Sequence, residues 1–151
     1  MAIYLKVDGI TGDATDANHT DWIALDSFQF GTSRQVSARV GASTVREFSQ
    51  PSLSDITVSK PLDKSSGGLF REAVVGNQGK TYTIEVTSTG EGGQILLTYT
   101  LTNVMVSNYH ISSGGDRPIE SISLNYTKID VKFQLGQQSV TSYDLAKAQA
   151  S

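Results

Sequence analysis

The sequence predicts a mainly β protein: an antiparallel β-sandwich or barrel with one short α-helix, at about residues 65–76, and one long extended arm. Three observations support this prediction. Apolar and polar residues alternate with a period of two through most of the chain, as they do in half-buried strands. Glycine, asparagine and aspartate interrupt these stretches at turns, and a single stretch has helical spacing. A length of 151 residues suits one domain, so residues 1–151 are predicted to fold as a single unit.

The first strand and the loop after it follow from this alternation. Ile3, Leu5 and Val7 alternate with polar neighbours and predict a half-buried strand, whereas residues 8–21 are polar and predict a loop. The acidic residues of the loop do not have the spacing of a calcium-binding loop. We therefore interpret residues 8–21 as a solvated loop and not as a metal site.

Residues 22–31 predict a second strand with two different faces. Phe28 and Phe30 lie on one face and are predicted to join the core. Ser27 and Gln29 lie on the other face, which is polar enough to meet water or a guest molecule.

Residues 34–54 predict a long connection whose first part is strand-like. Gly41-Ala42-Ser43-Thr44 interrupts the alternation, and an extended arm follows. Long segments of this kind within compact domains are usually functional. We expect the arm to dock on a neighbouring subunit, and a plain surface loop is the alternative. The candidate contact residues are Arg39, Val45, Arg46 and Phe48.

The helix is predicted directly after a strand that runs from Leu53 to Lys60. Pro61 closes the strand, because proline cannot donate to a β-ladder. Asp63, Ser65 or Ser66 is expected to cap the helix start through a side-chain oxygen. The apolar helical face is predicted to comprise Leu69, Phe70, Ala73 and Val74, and Gly76-Asn77 is predicted to form a left-handed stop.

The second half of the chain predicts long strands. Residues 81–87 and 95–102 alternate cleanly around a glycine turn at 90–93, and the apolar run Val104-Met105-Val106 indicates a bulge or burial on both faces. A last long strand begins near Ile122, and its alternation slips by one residue at Thr127, as at a bulge. The tail, residues 137–151, predicts one helical turn near Tyr143 or disorder.

Composition excludes several functional classes. The chain has no cysteine, which excludes disulfides, thiolate metal sites and cysteine nucleophiles. A formal net charge of −3 gives no support for a nucleic-acid partner. His19 and His110 are not accompanied by a catalytic or metal-binding motif, so we predict no enzyme, no metal and no cofactor. No apolar stretch is long enough for membrane insertion, and no apolar signal segment follows Met1, so we expect no cleaved signal peptide.

Three segments of the sequence resemble one known family. They are Lys60-Pro61-Leu62-Asp63-Lys64-Ser65-Ser66 followed by Leu69-Phe70, then Phe28-Gln29-Phe30-Gly31, and Pro118-Ile119-Glu120-Ser121-Ile122-Ser123-Leu124-Asn125-Tyr126. Together with the order of the predicted elements, they are similar to the Hcp family, the haemolysin co-regulated proteins of bacterial type VI secretion systems. One difference is Gly67, which stands where many members have a proline, and which loosens the helix start.

The resemblance implies a structural role. Members form hexameric rings that stack into a hollow tube, which a contractile sheath propels outward and which binds small effectors in its lumen. The implied partners are further copies of the chain and the sheath, tip spike and effector proteins. The implied route leads from the bacterial cytoplasm to the extracellular space or a target cell. Ser27 and Gln29 would then face the lumen, and Lys60, Pro61, Asp63, Lys64, Ser65, Ser66, Leu69 and Phe70 would have structural roles.

Two alternatives stay open at this point. One is a tail-tube protein of a phage-derived contractile particle, which the genes beside this one would distinguish. The other is a monomeric β-sandwich binding module, for example for glycans, which the size of the purified protein would distinguish.

Overall fold

The segments in which apolar and polar residues alternate form strands, and one segment forms a helix. A computed structural model describes residues 1–38, 46–48, 50–88 and 93–150, and within them the chain forms fourteen strands and one helix. The elements are β1 (Ala2–Val7), β2 (Ile23–Leu25), β3 (Ser27–Gln29), β4 (Thr32–Ser33), β5 (Val36–Ala38), β6 (Arg46–Phe48), β7 (Ser52–Leu53), β8 (Ile56–Pro61), α1 (Ser66–Val75), β9 (Lys80–Thr87), β10 (Ile95–Ser112), β11 (Ile119–Asn125), β12 (Lys128–Phe133), β13 (Ser139–Asp144) and β14 (Gln149–Ala150). This confirms the prediction of a mainly antiparallel β protein with one short helix.

Strand β10 organises the main sheet, because it is eighteen residues long and pairs with different strands along its length. Its first half pairs with β9 on one side and β12 on the other, and its second half pairs with β11. The sheet therefore has two parts that share β10. The seven-stranded part has the order β2-β1-β9-β10-β12-β13-β14, and the four-stranded part has the order β10-β11-β8-β3.

A bulge separates the two halves of β10, as the sequence predicted. Asn103 has a left-handed backbone with φ 56°, and the register against β9 shifts between Leu101 and Val104. Gly79 packs directly on this bulge, since a Cβ there would lie 1.6 Å from the Asn103 side-chain oxygen. Met105 is 42% exposed, so the apolar run after Asn103 marks the bulge and not burial on both faces.

The predicted strand at residues 22–31 is two strands. β2 pairs with β1 in the seven-stranded part, whereas β3 pairs with β8 in the four-stranded part. The change occurs at Asp26, whose backbone N–H donates to the Ser59 carbonyl at 2.7 Å. Alternation along one segment could not predict this change, because it depends on which distant strand is paired.

The predicted last strand is also two strands, and the break coincides with the predicted phase slip at Thr127. β11 ends at Asn125 and β12 begins at Lys128, opposite the bulge in β10. The Thr127 N–H donates to the Thr102 carbonyl at 3.1 Å. The buried Tyr126 donates its hydroxyl hydrogen to the Ser54 carbonyl at 2.8 Å. β11 and β12 thus pair with the second and the first half of β10, respectively.

The predicted arm is not confirmed. Residues 39–45 and 49 lie outside the described residues. The chain on either side of them forms two short antiparallel ladders, β4 with β7 and β5 with β6, and neither is hydrogen-bonded to the main sheet in the described residues.

The C-terminal tail adopts a form that the sequence did not predict. β13 pairs with β12 along its whole length, and β14 pairs back onto β13 through Tyr143 and Asp144. Residues 145–148 form the turn between them, so a strand hairpin takes the place of the predicted helical turn or disorder.

Helix α1 has the predicted bounds within one residue but differs in two details. Leu69 is fully buried, whereas Phe70 and Val74 are 54% and 64% exposed, so the predicted apolar face is only partly covered. Gly76 has φ −64° and ψ 121°, which is extended, so the predicted left-handed stop is wrong. The Gly76 N–H donates to the Glu72 carbonyl and ends the helix without a positive φ. No helix in the described residues has the length and apolar character to cross a membrane.

The core lies between the two parts of the sheet and below the helix. Its fully buried members on strands alternate with less buried residues, as the period-two pattern predicted, and Leu69 adds a member from the helix. They include Leu5, Ile23, Ile56, Val58, Leu69, Ile84, Leu101, Ile122 and Leu124. Burying each such side chain stabilises the fold by about 1.5–3 kcal/mol.

Candidate functional site

The outer face of the four-stranded part is a polar surface, on which side chains from directly paired residues stand side by side in rows. Each row crosses all four strands, and every side chain in a row points away from the core face, on which Phe28, Val58 and Ile122 lie. One row comprises Ser27, Ser59, Ser121 and His110, and the next comprises Gln29, Thr57, Ser123 and Asn108. We call these eight residues the polar face. It includes both predicted lumen residues, Ser27 and Gln29, and both are exposed.

The polar face has hydrogen-bonding groups and almost no charge. Hydroxyl and amide groups both donate and accept, and two of them, Thr57 and Ser123, bond to each other at 3.2 Å. His110 is the single titratable member of the eight, and it is exposed. A guest on this surface would be recognised by hydrogen bonds more than by ion pairs.

Within the described residues, both borders of the four-stranded part lack a second strand partner. The second half of β10, from Met105 to Ser112, pairs with β11 on one side, and no described residue pairs with its other side. β3 pairs with β8 on one side and has no second partner in the described part of the chain. Unpaired strand edges present free N–H and C=O groups that another strand can bind.

A buried charge cluster lies on the opposite, inner face of the same strands. Lys60 of β8 and Glu120 of β11 are direct cross-strand partners and are both fully buried. Lys60 Nζ lies 2.5 Å from Glu120 Oε1 and 2.9 Å from Asp63 Oδ1. The Ser66 hydroxyl donates to Glu120 Oε1 at 2.6 Å, and the Tyr109 hydroxyl donates to Glu120 Oε2. We call Lys60, Asp63, Ser66, Tyr109 and Glu120 the charge cluster.

The charge cluster fastens the helix to the sheet, because Ser66 is the first residue of α1. The start of the helix is not capped by a serine side chain, as the sequence had suggested. Ser65 is the N-cap residue, but its side chain makes no capping hydrogen bond. Asp63 instead accepts from the Ser65 N–H at 2.9 Å and from the Ser65 hydroxyl, while the Asp63 N–H donates to Ser66 Oγ at 3.0 Å.

The motif residues outside the cluster have simpler positions. Pro61 is the last residue of β8, as predicted, and pairs with Ile119. The Lys64 ammonium is exposed and lies 3.6 Å from Asp21 and 4.0 Å from Asp13. The Phe70 ring lies 5.5 Å from the Tyr109 ring in an edge contact.

The charge cluster is not arranged for nucleophilic catalysis. Lys60 Nζ lies 3.2 Å from Ser66 Oγ, which is within the reach of a serine and a basic lysine. The Lys60 ammonium, however, is engaged by two carboxylates, and the Ser66 hydroxyl already donates to Glu120. Burial and the hydrogen bond to Glu120 raise the pKa of Tyr109, which keeps the phenol neutral as a donor.

Sequence reasoning missed the roles of Glu120 and Tyr109, although a signal was present. Glu120 has the same alternation phase as the buried Ile122 and Leu124, and Lys60 has the same phase as Ile56 and Val58. Two opposite charges on the core phase of two strands indicate a buried pair, since an unpaired charge would be too costly to bury.

The remaining candidates are only partly covered by the structure. Arg39 and Val45 lie outside the described residues. Arg46 and Phe48 have backbone positions on β6, paired with Ala38 and Val36. Within the described residues, no group of three or more histidine, aspartate or glutamate side chains is placed to hold a metal ion.

The chain is similar to type VI secretion system proteins in both sequence and structure. The family model described as "Type VI secretion system effector, Hcp" matches residues 4–133. A structure titled as a type six secretion system protein is 25% identical, with a TM-score of 0.89 over 99% of both chains. Hcp1 from Salmonella typhimurium is 19% identical, with a TM-score of 0.81 over 99% of this chain and 98% of that one. A type VI secretion system effector from Yersinia pestis is 23% identical, with a TM-score of 0.75 over 94% and 98%.

No curated protein matched the chain. The family model nevertheless covers most of the residues, and its range includes the polar face, both free strand edges and the charge cluster. The chain therefore belongs to the Hcp family of type VI secretion system proteins.

Proposed function

We propose that the chain assembles into closed hexameric rings, that these rings stack into the hollow inner tube of a type VI secretion system, and that the lumen carries effectors. The observation that carries the proposal is the pair of unpaired borders of the four-stranded part, the second half of β10 and the strand β3. A monomer would leave both borders open to uncontrolled strand pairing.

A ring satisfies both borders at once. The two borders are different strands, so the edge of β10 on one copy meets the edge of β3 on the next in a head-to-tail contact. Such a contact repeats until the rotation closes, and closure leaves no free edge. The four-stranded parts of all copies then form one continuous wall.

The polar face supplies the lining of that wall. Its hydroxyl and amide groups bind guests through hydrogen bonds, and its lack of charge makes binding depend little on salt. Through the tube the chain would meet sheath and tip-spike proteins outside the ring and effectors inside it. The role is structural, and the protein would start in the cytoplasm and leave through the apparatus.

A single lysine substitution on the open edge of β10 tests the proposal. Ile111 lies on that edge and is 52% exposed, so a lysine there fits the monomer but places a charge where the next copy would pair. Ile119 is the control, because it has a similar exposure of 47% but lies one strand inside the edge, on β11, in the alternation phase of Ser121 and Ser123.

We expect Ile111→Lys to give folded monomers by mass photometry and circular dichroism, while Ile119→Lys keeps the rings of the unmodified protein. Rings that form equally well in both variants would refute the edge-pairing proposal. A protein that is monomeric even without substitution would instead favour the β-sandwich binding module.

A further inference from the structure

His19 is enclosed by two carboxylates and two aromatic rings, away from the polar face. It is 2% exposed although it lies in the loop between β1 and β2. Its ring stacks on Tyr4 of β1 with centroids 4.3 Å apart, and it meets the Trp22 ring edge-on at 4.7 Å. Its Nδ1 lies 2.7 Å from Asp16 Oδ2, and its Nε2 lies 3.1 Å from Glu85 Oε2 of β9.

Both ring nitrogens therefore face a carboxylate oxygen. A neutral imidazole carries one N–H and one lone pair, so it could donate to only one of the two carboxylates and would oppose the other. The imidazolium ion donates to both. We propose that His19 is a proton-dependent latch, which holds the loop of residues 8–22 against β1 and β9 while the ring is cationic and releases it when the ring loses a proton.

The loop has the connections expected of a latched segment. Backbone hydrogen bonds join the two ends of the loop to each other. The Gly12 N–H donates to the Asp21 carbonyl, the Ala14 N–H to the Trp22 carbonyl and the Asp21 N–H to the Ala14 carbonyl, at 2.8–3.0 Å. Among the described contacts, the His19 to Glu85 bond ties the loop to β9 through a side chain. The other end of the loop reaches the helix, where Ile10 packs beside Gly68. Release of His19 would thus loosen the helix side of the molecule and leave the polar face in place.

The charges around His19 define the direction of the pH dependence. The groups that face it are Asp16 on the loop, Glu85 on β9 and the Tyr4 phenol on β1. The Lys6 ammonium of β1 does not contact His19 but lies over the neighbouring Trp22 ring, 5.9 Å from its centroid. The hydrogen bond from His19 is the main cause that lowers the pKa of Asp16. Asp16 therefore accepts from His19 down to an acidity below the usual aspartate range, and the latch is lost only as the pH falls through that lowered value. As the pH rises, the latch is lost when His19 gives up its proton, because the neutral ring can donate to only one of the two carboxylates.

Trp22 reports the state of the latch, because it is the one tryptophan of the chain. A cationic imidazolium in contact with an indole quenches its fluorescence more than a neutral imidazole does. We expect the emission of Trp22 to rise through one transition as the pH is raised in the full-length protein. The transition should vanish in His19→Gln and stay unchanged in His110→Gln, the matched control on the exposed polar face.

A second variant keeps the test valid if His19→Gln fails to fold. Glu85→Gln retains a hydrogen-bond acceptor and removes one of the two negative charges, so the transition midpoint should fall by about one pH unit. Above the midpoint, the Asp21 amide should exchange its hydrogen roughly tenfold faster, relative to its intrinsic rate at the same pH. A transition that persists in folded His19→Gln, or a midpoint that Glu85→Gln leaves unchanged, would overturn the proposal.

Discussion

At the scale of single residues, the pairing of Lys60 with Glu120 is the central contact of the segment that resembles the family motif. Both side chains are fully buried, and every charged atom of the pair has a hydrogen-bond partner within the charge cluster. Buried pairs of this kind add little net stability over apolar residues, but removal of one partner leaves an uncompensated charge in the core. The motif thus specifies how the helix docks on the sheet.

This asymmetry predicts the outcome of single and double substitutions. Lys60→Met or Glu120→Leu alone should lower the free energy of unfolding by about 3–5 kcal/mol, and the double variant should lose less than the sum of the two. Lys64→Met is the control, because Lys64 is exposed and should change stability by about 0–1 kcal/mol. Denaturant unfolding at one fixed protein concentration measures all four. Losses below about 1 kcal/mol for both single variants would contradict the role of the charge cluster.

Three tyrosines predict a loss of stability in strong alkali: Tyr82 and Tyr126 are buried, and Tyr109 is partly buried. Burial raises the pKa of Tyr82, Tyr109 and Tyr126, so each phenol stays neutral in the folded chain at a pH where the unfolded chain ionises it. A raised folded-state pKa contributes stability that is complete below the unfolded value of about 10 and is lost as the pH rises above it.

The ultraviolet absorbance of phenolate measures this directly. We expect part of the phenolate signal to appear only together with unfolding, as followed by circular dichroism above about pH 10. Tyr126→Phe should reduce the amplitude of that delayed part. If all tyrosines ionise while the fold is intact, the stated burial effect is wrong.

The residue scale also shows where sequence reasoning reached its limit. Ser27 and Gln29 were predicted to lie on a polar face because alternation alone assigns them there. The alternation phase of Glu120 and Lys60 indicates that both are buried, but it does not show that they are direct partners, since they are sixty residues apart and their register depends on the whole sheet.

At the scale of elements, the local patterns predicted where strands and the helix lie but not how strands change partners. The strand at residues 80–87, the long β10 with its bulge and the helix all follow from spacing within one segment. The break at Asp26 does not, because it marks the point where the chain passes from one part of the sheet to the other. The phase slip at Thr127 predicted the position of the second break, but not that β11 and β12 belong to different parts of the sheet. The exposed Phe70 and Val74 have a similar cause, since helical spacing cannot reveal how much of a face the sheet covers.

The arm gives a prediction of its own at this scale. Arg46→Glu combined with Phe48→Asp reverses a charge and removes an apolar group on β6, where we expect contact with a neighbouring subunit or ring. Size-exclusion chromatography and electron microscopy should then show a loss of rings or of ring stacking. Unchanged rings and stacks would eliminate the arm as a contact element.

At the scale of the whole molecule, the shape of the assembly follows from what the sheet leaves unpaired. Both parts of the sheet and the helix enclose the core, and within the described residues the four-stranded part has a strand without a second partner at each border and a polar surface between them. Local sequence patterns predicted the long strands but not these borders, because an edge is defined only when every other strand has found its partner. The match to the Hcp family model over residues 4–133 agrees with this architecture.

The mass and outline of the purified protein test the central claim most directly, by mass photometry together with negative-stain electron microscopy. The account predicts ring-shaped particles with a central hole and a mass about six times the 16.2 kDa of one chain. Solid particles with the mass of a single chain at micromolar concentration would contradict it.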